Sequence, residues 1–136
     1  MGMKPDTKLD TLRRLPLFAG ASARELRAVS KVVDEIDVPA GYTLTRQGEL
    51  GHELVFIVDG SAEVSRDGRR INRVRDGDIV GEIAVLTRGE RTATVTTTTP
   101  TRALVVTARD FWTLLERVPS LRFKVLEKFA AHVAAA

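Results

Sequence analysis

The sequence predicts a mainly β domain, a small sandwich or barrel with helices at both ends, and three observations carry that reading. From Glu35 to Thr107 the glycines at 41, 48, 51, 60, 68, 77, 81 and 89 interrupt short β-forming runs, the turn spacing of an all-β sandwich or barrel. Before that stretch Leu9, Leu12 and Leu15 recur at helical spacing, followed by Leu26, Val29, Val32 and Val33. After it Phe111, Leu114, Leu115 and Val118 share a helical face.

In chain order, residues 1–8 are expected to be a tail and 9–136 one domain: helices over 9–33, the β region over 35–107 and C-terminal helices over 108–134. Pro16 separates the first two apolar stripes, which points to two short helices around a Leu17-Phe18-Ala19-Gly20 turn. Ser22 followed by Glu25 has the spacing of a capping box. Leu54 to Val58 is an almost unbroken apolar run ended by Asp59-Gly60, and Asp67-Gly68 ends the next β segment. Both dipeptides read as hairpin turns, because glycine accepts positive φ without steric cost. Ile71 and Val74 lie three apart, so strand alternation breaks there and a bulge or an irregular strand is expected. Arg91 to Thr99 is rich in β-branched residues, and Ala103 to Val106 reads as a buried strand. Pro119-Ser120 divides the last helical pattern, which continues through Leu121, Val125, Phe129 and Ala130.

At 136 residues and 14.9 kDa the chain has the size of one domain. Its 43% hydrophobic and 29% charged residues are globular composition. The absence of cysteine excludes disulfides, thiolate nucleophiles and Cys-ligated zinc. A net charge of +3 is too small to argue for a strong nucleic-acid or membrane field. No apolar run approaches the roughly 20 residues of a transmembrane helix or suggests a signal peptide, so a cytoplasmic protein is expected.

The stretch that carries chemistry runs from Gly77 to Val95. Gly81 allows close backbone approach, and Glu82-Ile83-Ala84-Val85-Leu86 has the composition of one or two helical turns between strands. The first amides of such a turn have no intrahelical acceptor and suit an anion. Arg91, read as the start of the next strand, could bring a guanidinium to the same anion with bidentate geometry. Glu82 would repel a bare phosphate but suits a ligand whose hydroxyls lie beside its phosphate, as in a ribose. By residue type alone, the same parts also describe a surface turn with a solvated arginine and a capping glutamate.

The order Gly81-Glu82-Ile83-Ala84 followed by Arg91-Thr92-Ala93 resembles the phosphate-binding cassette of the cyclic-nucleotide-binding domain family, found in cAMP-dependent kinase regulatory subunits and cyclic-nucleotide-gated channels. Val38 to Glu49, Leu54 to Val64, Gly77-Asp78 and Leu15-Pro16-Leu17-Phe18 extend the likeness over roughly Leu9 to Phe129. The resemblance implies a β-roll or jelly-roll barrel of about eight strands with N-terminal helices and C-terminal hinge and lid helices. It implies that Arg91 pairs with the cyclic phosphate and Glu82 takes the ribose 2′-OH. Gly81, Ile83, Ala84, Thr92 and Ala93 would line the rest of the cradle, chiefly through backbone groups. The expected ligand is cAMP, with cGMP as the alternative because Thr92 stands where many cGMP-responsive members have threonine. The family covers the base with a residue of its last helix; among Leu121, Phe123, Val125 and Phe129 the aromatic Phe123 is the candidate. Val80, where the family usually has phenylalanine, departs from the pattern behind the cassette.

The implied role is a regulatory module, not an enzyme, in which ligand shifts the C-terminal helix between two positions. Its output partner, an effector protein or domain, is not in the sequence. A degenerate, non-binding domain of the same fold acting in protein interaction is the alternative. A cupin-like metalloenzyme is a weaker one, since such a site needs about three His and a carboxylate and only His52 and His132 exist. No metal is therefore expected, and no Ser-His-Asp set can be placed. Only 17 residues run from Ser120 to Ala136, enough for one helix, so DNA reading by this chain is not expected. Arg66, Arg69, Arg70, Arg73, Arg75 and Arg88, with Asp67, Asp76 and Asp78 among them, read as a solvated hairpin face or as a docking surface for an acidic partner or lipid headgroups.

Overall fold

The computed structural model describes residues 5–135. Its order is α1 (Pro5–Arg14), a 3-10 turn (Pro16–Phe18), α2 (Ala23–Ser30), β1 (Asp34–Val38), β2 (Thr43–Thr45), β3 (Glu53–Asp59), β4 (Ser61–Arg66) and β5 (Arg69–Arg75). Then follow β6 (Ile79–Val80), α3 (Glu82–Thr87), β7 (Thr94–Thr97), β8 (Thr101–Thr107), α4 (Ala108–Arg117) and α5 (Pro119–Ala135). The eight strands form two four-stranded antiparallel sheets, ordered β1-β8-β3-β6 and β2-β7-β4-β5. This is the jelly-roll expected from the sequence.

Alternation along two strands explains how one chain builds two cores. On β3, Leu54 and Phe56 face the helices while Val55 and Ile57 face the other sheet; on β8, Leu104 and Val106 face the helices and Ala103 the other sheet. A strand buried on both faces reads as a continuous apolar run, which is why Leu54 to Val58 and Ala103 to Val106 lack polar alternation. The helical side holds the larger core, including Leu12, Phe18, Leu26, Phe111, Leu115, Leu121, Val125 and Phe129. Between the sheets lies a smaller one of Val55, Ile57, Ala62, Val80, Val95 and Ala103.

The helices start and stop largely for local reasons. α1 begins at Pro5, inside the segment expected as a tail; proline suits a first helical position because the N–H it lacks has no helical acceptor. Residues 1–4 of that tail lie outside the described residues. In the Ser22 capping box, the Glu25 amide donates to Ser22 Oγ at 3.1 Å and the Ser22 amide to Glu25 Oε1 at 2.8 Å. α2 stops at Ser30 and not at Val33, as two consecutive β-branched residues lead into β1. Thr107 caps α4 by accepting from the Asp110 amide at 3.0 Å.

The two Asp-Gly dipeptides do different work, which corrects the sequence reading. Asp67 (φ 53°) and Gly68 (φ 78°) close a true hairpin between β4 and β5. Asp59-Gly60 joins β3 to β4, which belong to different sheets, so it is a corner and not a hairpin. Gly60 adopts φ 140° there, and a Cβ would collide with the Thr101 side chain and lie 2.9 Å from its Cα. The expected bulge is present: Val64 pairs with Asn72 and Ser65 with Arg70, leaving Ile71 as the extra residue. β5 is a sheet edge, and its Arg69, Arg70, Arg73 and Arg75 are exposed.

Candidate functional site

The site forms where β6 gives way to α3 and the chain then loops back into β7. Gly81 turns the corner at φ 91°, and the first intrahelical bond of α3 runs from the Val85 amide to the Gly81 carbonyl at 3.3 Å. The amides of Ile83 and Ala84 therefore lie before the helix's own hydrogen-bond ladder. α3 closes on Arg88 at φ 57°.

Arg91 lies in the loop and not, as expected, in the next strand, which begins at Thr94. Its backbone is nonetheless fixed: its amide donates to the Glu49 carbonyl at 2.7 Å, and its carbonyl accepts the Gly48 amide at 3.0 Å. The Gly51 amide donates to the Gly89 carbonyl at 3.1 Å, so the 48–51 loop braces the whole return.

From this anchor the guanidinium turns inward and is only 8% exposed. Nη1 donates to the Gly81 carbonyl at 3.2 Å and Nη2 to the Glu53 carbonyl at 2.8 Å. Burial pulls its pKa below the usual arginine value, while the charges of Glu53 and Glu82 oppose that shift. A guanidinium has five N–H groups, so donors remain for an acceptor in the space beside it. Two glycines make room for it. A Cβ on Gly81 would overlap Nη1, and one on Gly51 would collide with Ala84 Cβ and lie 3.1 Å from Arg91 Cδ and Cζ.

The space is a cavity of about 320 Å³ whose walls include Gly81, Glu82, Ala84, Arg91, Thr92 and Ala93. Small-molecule sites typically measure about 300–1,000 Å³. Glu82 is only 6% exposed, so the cavity places a buried carboxylate beside a buried guanidinium. Apolar walls come from Val64, Ile71, Val74, Ile79, Val80 and Val95. Val80 thus lines the cavity itself, beyond the packing role its position suggested.

Six of the expected residues meet at this cavity, and the backbone of Ile83 lies in the first turn of α3. Phe123 is elsewhere: it is 74% exposed on α5 and does not line the cavity. Leu121, Val125 and Phe129 are buried in the helical core. Sequence reasoning did not bring the Glu53 carbonyl, Gly51, Arg66 or Asn72 to the site, Arg66 having been grouped with the exposed arginines of the hairpin. Gly51 stood out only as turn punctuation. Arg66 Nε donates to the Thr92 carbonyl at 3.0 Å, a contact no motif announces.

His52 is exposed and contributes a backbone carbonyl to the Ala108 amide at 2.7 Å. Among the described residues no three His, Asp or Glu side chains are grouped as a cation requires, and none of the helices is long and apolar enough to cross a membrane. The side chain of His132 lies outside the described residues.

The profile of the cyclic nucleotide-binding domain matches residues 35–118, and the chain belongs to that family. It is 38% identical over 109 residues to the Homo sapiens potassium/sodium hyperpolarization-activated cyclic nucleotide-gated channel 3, covering 79% of this chain and 14% of the channel. The chain spans less than a third of the length of the curated relatives it matches. The crystal structure of a cyclic nucleotide-binding domain from Methylobacillus flagellatus superposes with TM-score 0.83 at 25% identity, covering 96% of this chain and 76% of that one. The regulatory domain of Toxoplasma gondii PKA, crystallised with cAMP, shares the fold with TM-score 0.80 at 22% identity, over 94% of this chain and 50% of that one. Domains of this family are regulatory, not catalytic.

Proposed function

We propose that this domain binds a cyclic nucleotide, cAMP, and acts in the cytoplasm as a sensor for an effector protein or a domain of a longer chain. One observation carries the reading: Arg91 and Glu82, each more than nine-tenths buried, line the same cavity beside the Gly81 turn. Arg91 pairs with the cyclic phosphate, helped by the Ile83 and Ala84 amides. Glu82 accepts the ribose 2′-OH. The backbones of Gly81 and Thr92 and the Ala93 wall complete the cradle.

The output is a population shift. A ligand that orders the cassette favours one position of α5 only if it binds the two arrangements with different affinity. α5 offers Phe123, solvent-exposed in this structure, as the side chain that covers the base after such a move.

Isothermal titration of the purified domain with cAMP and cGMP, after unfolding and refolding to strip bound nucleotide, tests the proposal. One-to-one saturable binding with cAMP the tighter ligand is expected. No heat with either, together with an unchanged melting temperature, would replace it with a non-binding interaction domain.

A further inference from the structure

The proposed phosphate and ribose contacts use Arg91, Glu82 and the Gly81 turn, but they leave another wall of the cavity unexplained. That wall is the β4–β5 hairpin. Ala62, Val64 and Arg66 alternate along one face of β4, and across from them Val74 pairs with Ala62 and Asn72 with Val64. Paired residues project to the same side of a sheet. The inner face of the hairpin therefore grades from the Ala62–Val74 and Val64 surfaces to a polar rim of Arg66 and Asn72, and Val64, Arg66, Asn72 and Val74 all line the cavity.

The rim is held in place. Gln47 and Asp67 exchange two hydrogen bonds, Nε2 to Oδ1 at 2.8 Å and the Asp67 amide to Gln47 Oε1 at 2.9 Å, which pins the hairpin tip. Arg66 spends its Nε on the Thr92 carbonyl. Asn72 Oδ1 accepts the Arg73 amide at 2.8 Å, which orients the carboxamide while leaving both Nδ2 hydrogens and a second oxygen lone pair. Asn72 thus presents a donor and an acceptor side by side at the end of an apolar wall on which a flat base can lie.

We infer that Asn72 reads the base as adenine, donating from Nδ2 to N7 and accepting at Oδ1 from the exocyclic 6-amino group. This is the bidentate pairing that asparagine makes with adenine. A 6-oxo purine offers two acceptors on the same edge, and Asn72 satisfies only one. The inference rests on the cyclic-nucleotide reading above and adds the residue that sets its base preference.

The test is titration of wild type and Asn72→Ala with cAMP and with its 6-oxo analogue, cyclic inosine monophosphate. Wild type is expected to favour cAMP roughly tenfold, the scale of one to two hydrogen bonds. Asn72→Ala narrows that ratio to within twofold, chiefly by weakening cAMP. Asn72→Leu, which keeps the bulk and removes both polar groups, gives the same narrowing. A ratio unchanged by both variants, or a wild type that favours the 6-oxo base, overturns the role of Asn72 and leaves cyclic-nucleotide binding standing. A wild type that binds neither nucleotide overturns both.

Discussion

Glu25 and Lys124, 99 residues apart in the chain, meet with Nζ 3.0 Å from Oε1. The same buried carboxylate accepts Ser120 Oγ at 2.8 Å and the Ser22 amide at 2.8 Å, so one side chain caps α2 and holds the start of α5. The Ser22 amide, then Ser120 and Lys124, hold its pKa at about 2 against the opposing effect of burial.

Because the folded pKa lies below the ordinary 4.5, the unfolded chain takes up the proton first as pH falls. The stabilisation is complete above about pH 4.5 and is lost as pH falls toward 2. Glu25→Gln should cost roughly 2 to 3 kcal/mol at neutral pH and flatten the acid limb of the stability profile. Urea melts at several pH values between 7 and 2.5 read both effects; an acid limb as steep in the variant as in wild type would assign the acid sensitivity to other groups.

Gly81→Ala should damage binding more than stability. The added methyl meets Arg91 Nη1 and comes within 3.1 Å of the Glu53 carbonyl at a φ of 91°, whereas a methyl on Gly68, at φ 78°, meets nothing within 4 Å. Both variants carry backbone strain of about 1 kcal/mol or more, but only Gly81→Ala displaces the guanidinium. Calorimetric titration of the pair distinguishes them, and equal affinities would remove Gly81 from the account of how Arg91 is seated.

Removing the charge itself should cost more. Arg91→Ala is expected to lose roughly 2 to 5 kcal/mol of cAMP binding, since the phosphate would enter the cavity unpaired. Binding within twofold of wild type would disprove the phosphate contact. Glu82→Ala should weaken cAMP more than its 2′-deoxy analogue, and equal losses would withdraw the ribose assignment.

Movement of α5 can be followed without a label. Trp112, the single tryptophan, lies edge-on to Phe111 at 6.2 Å and 69°, and Phe111 stacks on Phe129 of α5 at 5.4 Å and 11°. Addition of cAMP should change Trp112 emission with the midpoint found by calorimetry. Saturation by calorimetry with constant emission would confine the ligand's effect to the cassette.

The sequence exposes those parts of the molecule whose causes are local. Ser22 and Glu25 are three residues apart and cap the helix they predict, and Asp67-Gly68 turns the strands that flank it. Asp59-Gly60 has the same composition, yet it is a corner between sheets where Thr101, on a strand 41 residues later, leaves no room for a Cβ on Gly60. No local signal distinguishes a hairpin from a corner there. The cassette was legible as an ordered motif, but the Gly51 and Glu53 groups that seat Arg91 lie 40 and 38 residues before it and act through empty space and a carbonyl, which residue type does not encode. Asn72 escaped notice because its inward direction depends on the bulge at Ile71.

The four arginines on β5 also bear on how copies of this domain behave toward one another. An edge strand offers unpaired amides and carbonyls to any other edge, the usual route to strand-swapped or fibrillar aggregates. Two β5 strands laid side by side would bring Arg69, Arg70, Arg73 and Arg75 of one copy against the same four of the other, with no acidic residue in the strand and Glu63 of β4 offsetting Arg70 in part. The repulsion guards the open rim of the sheet, keeping the hairpin that walls the cavity from being recruited into a neighbour's sheet.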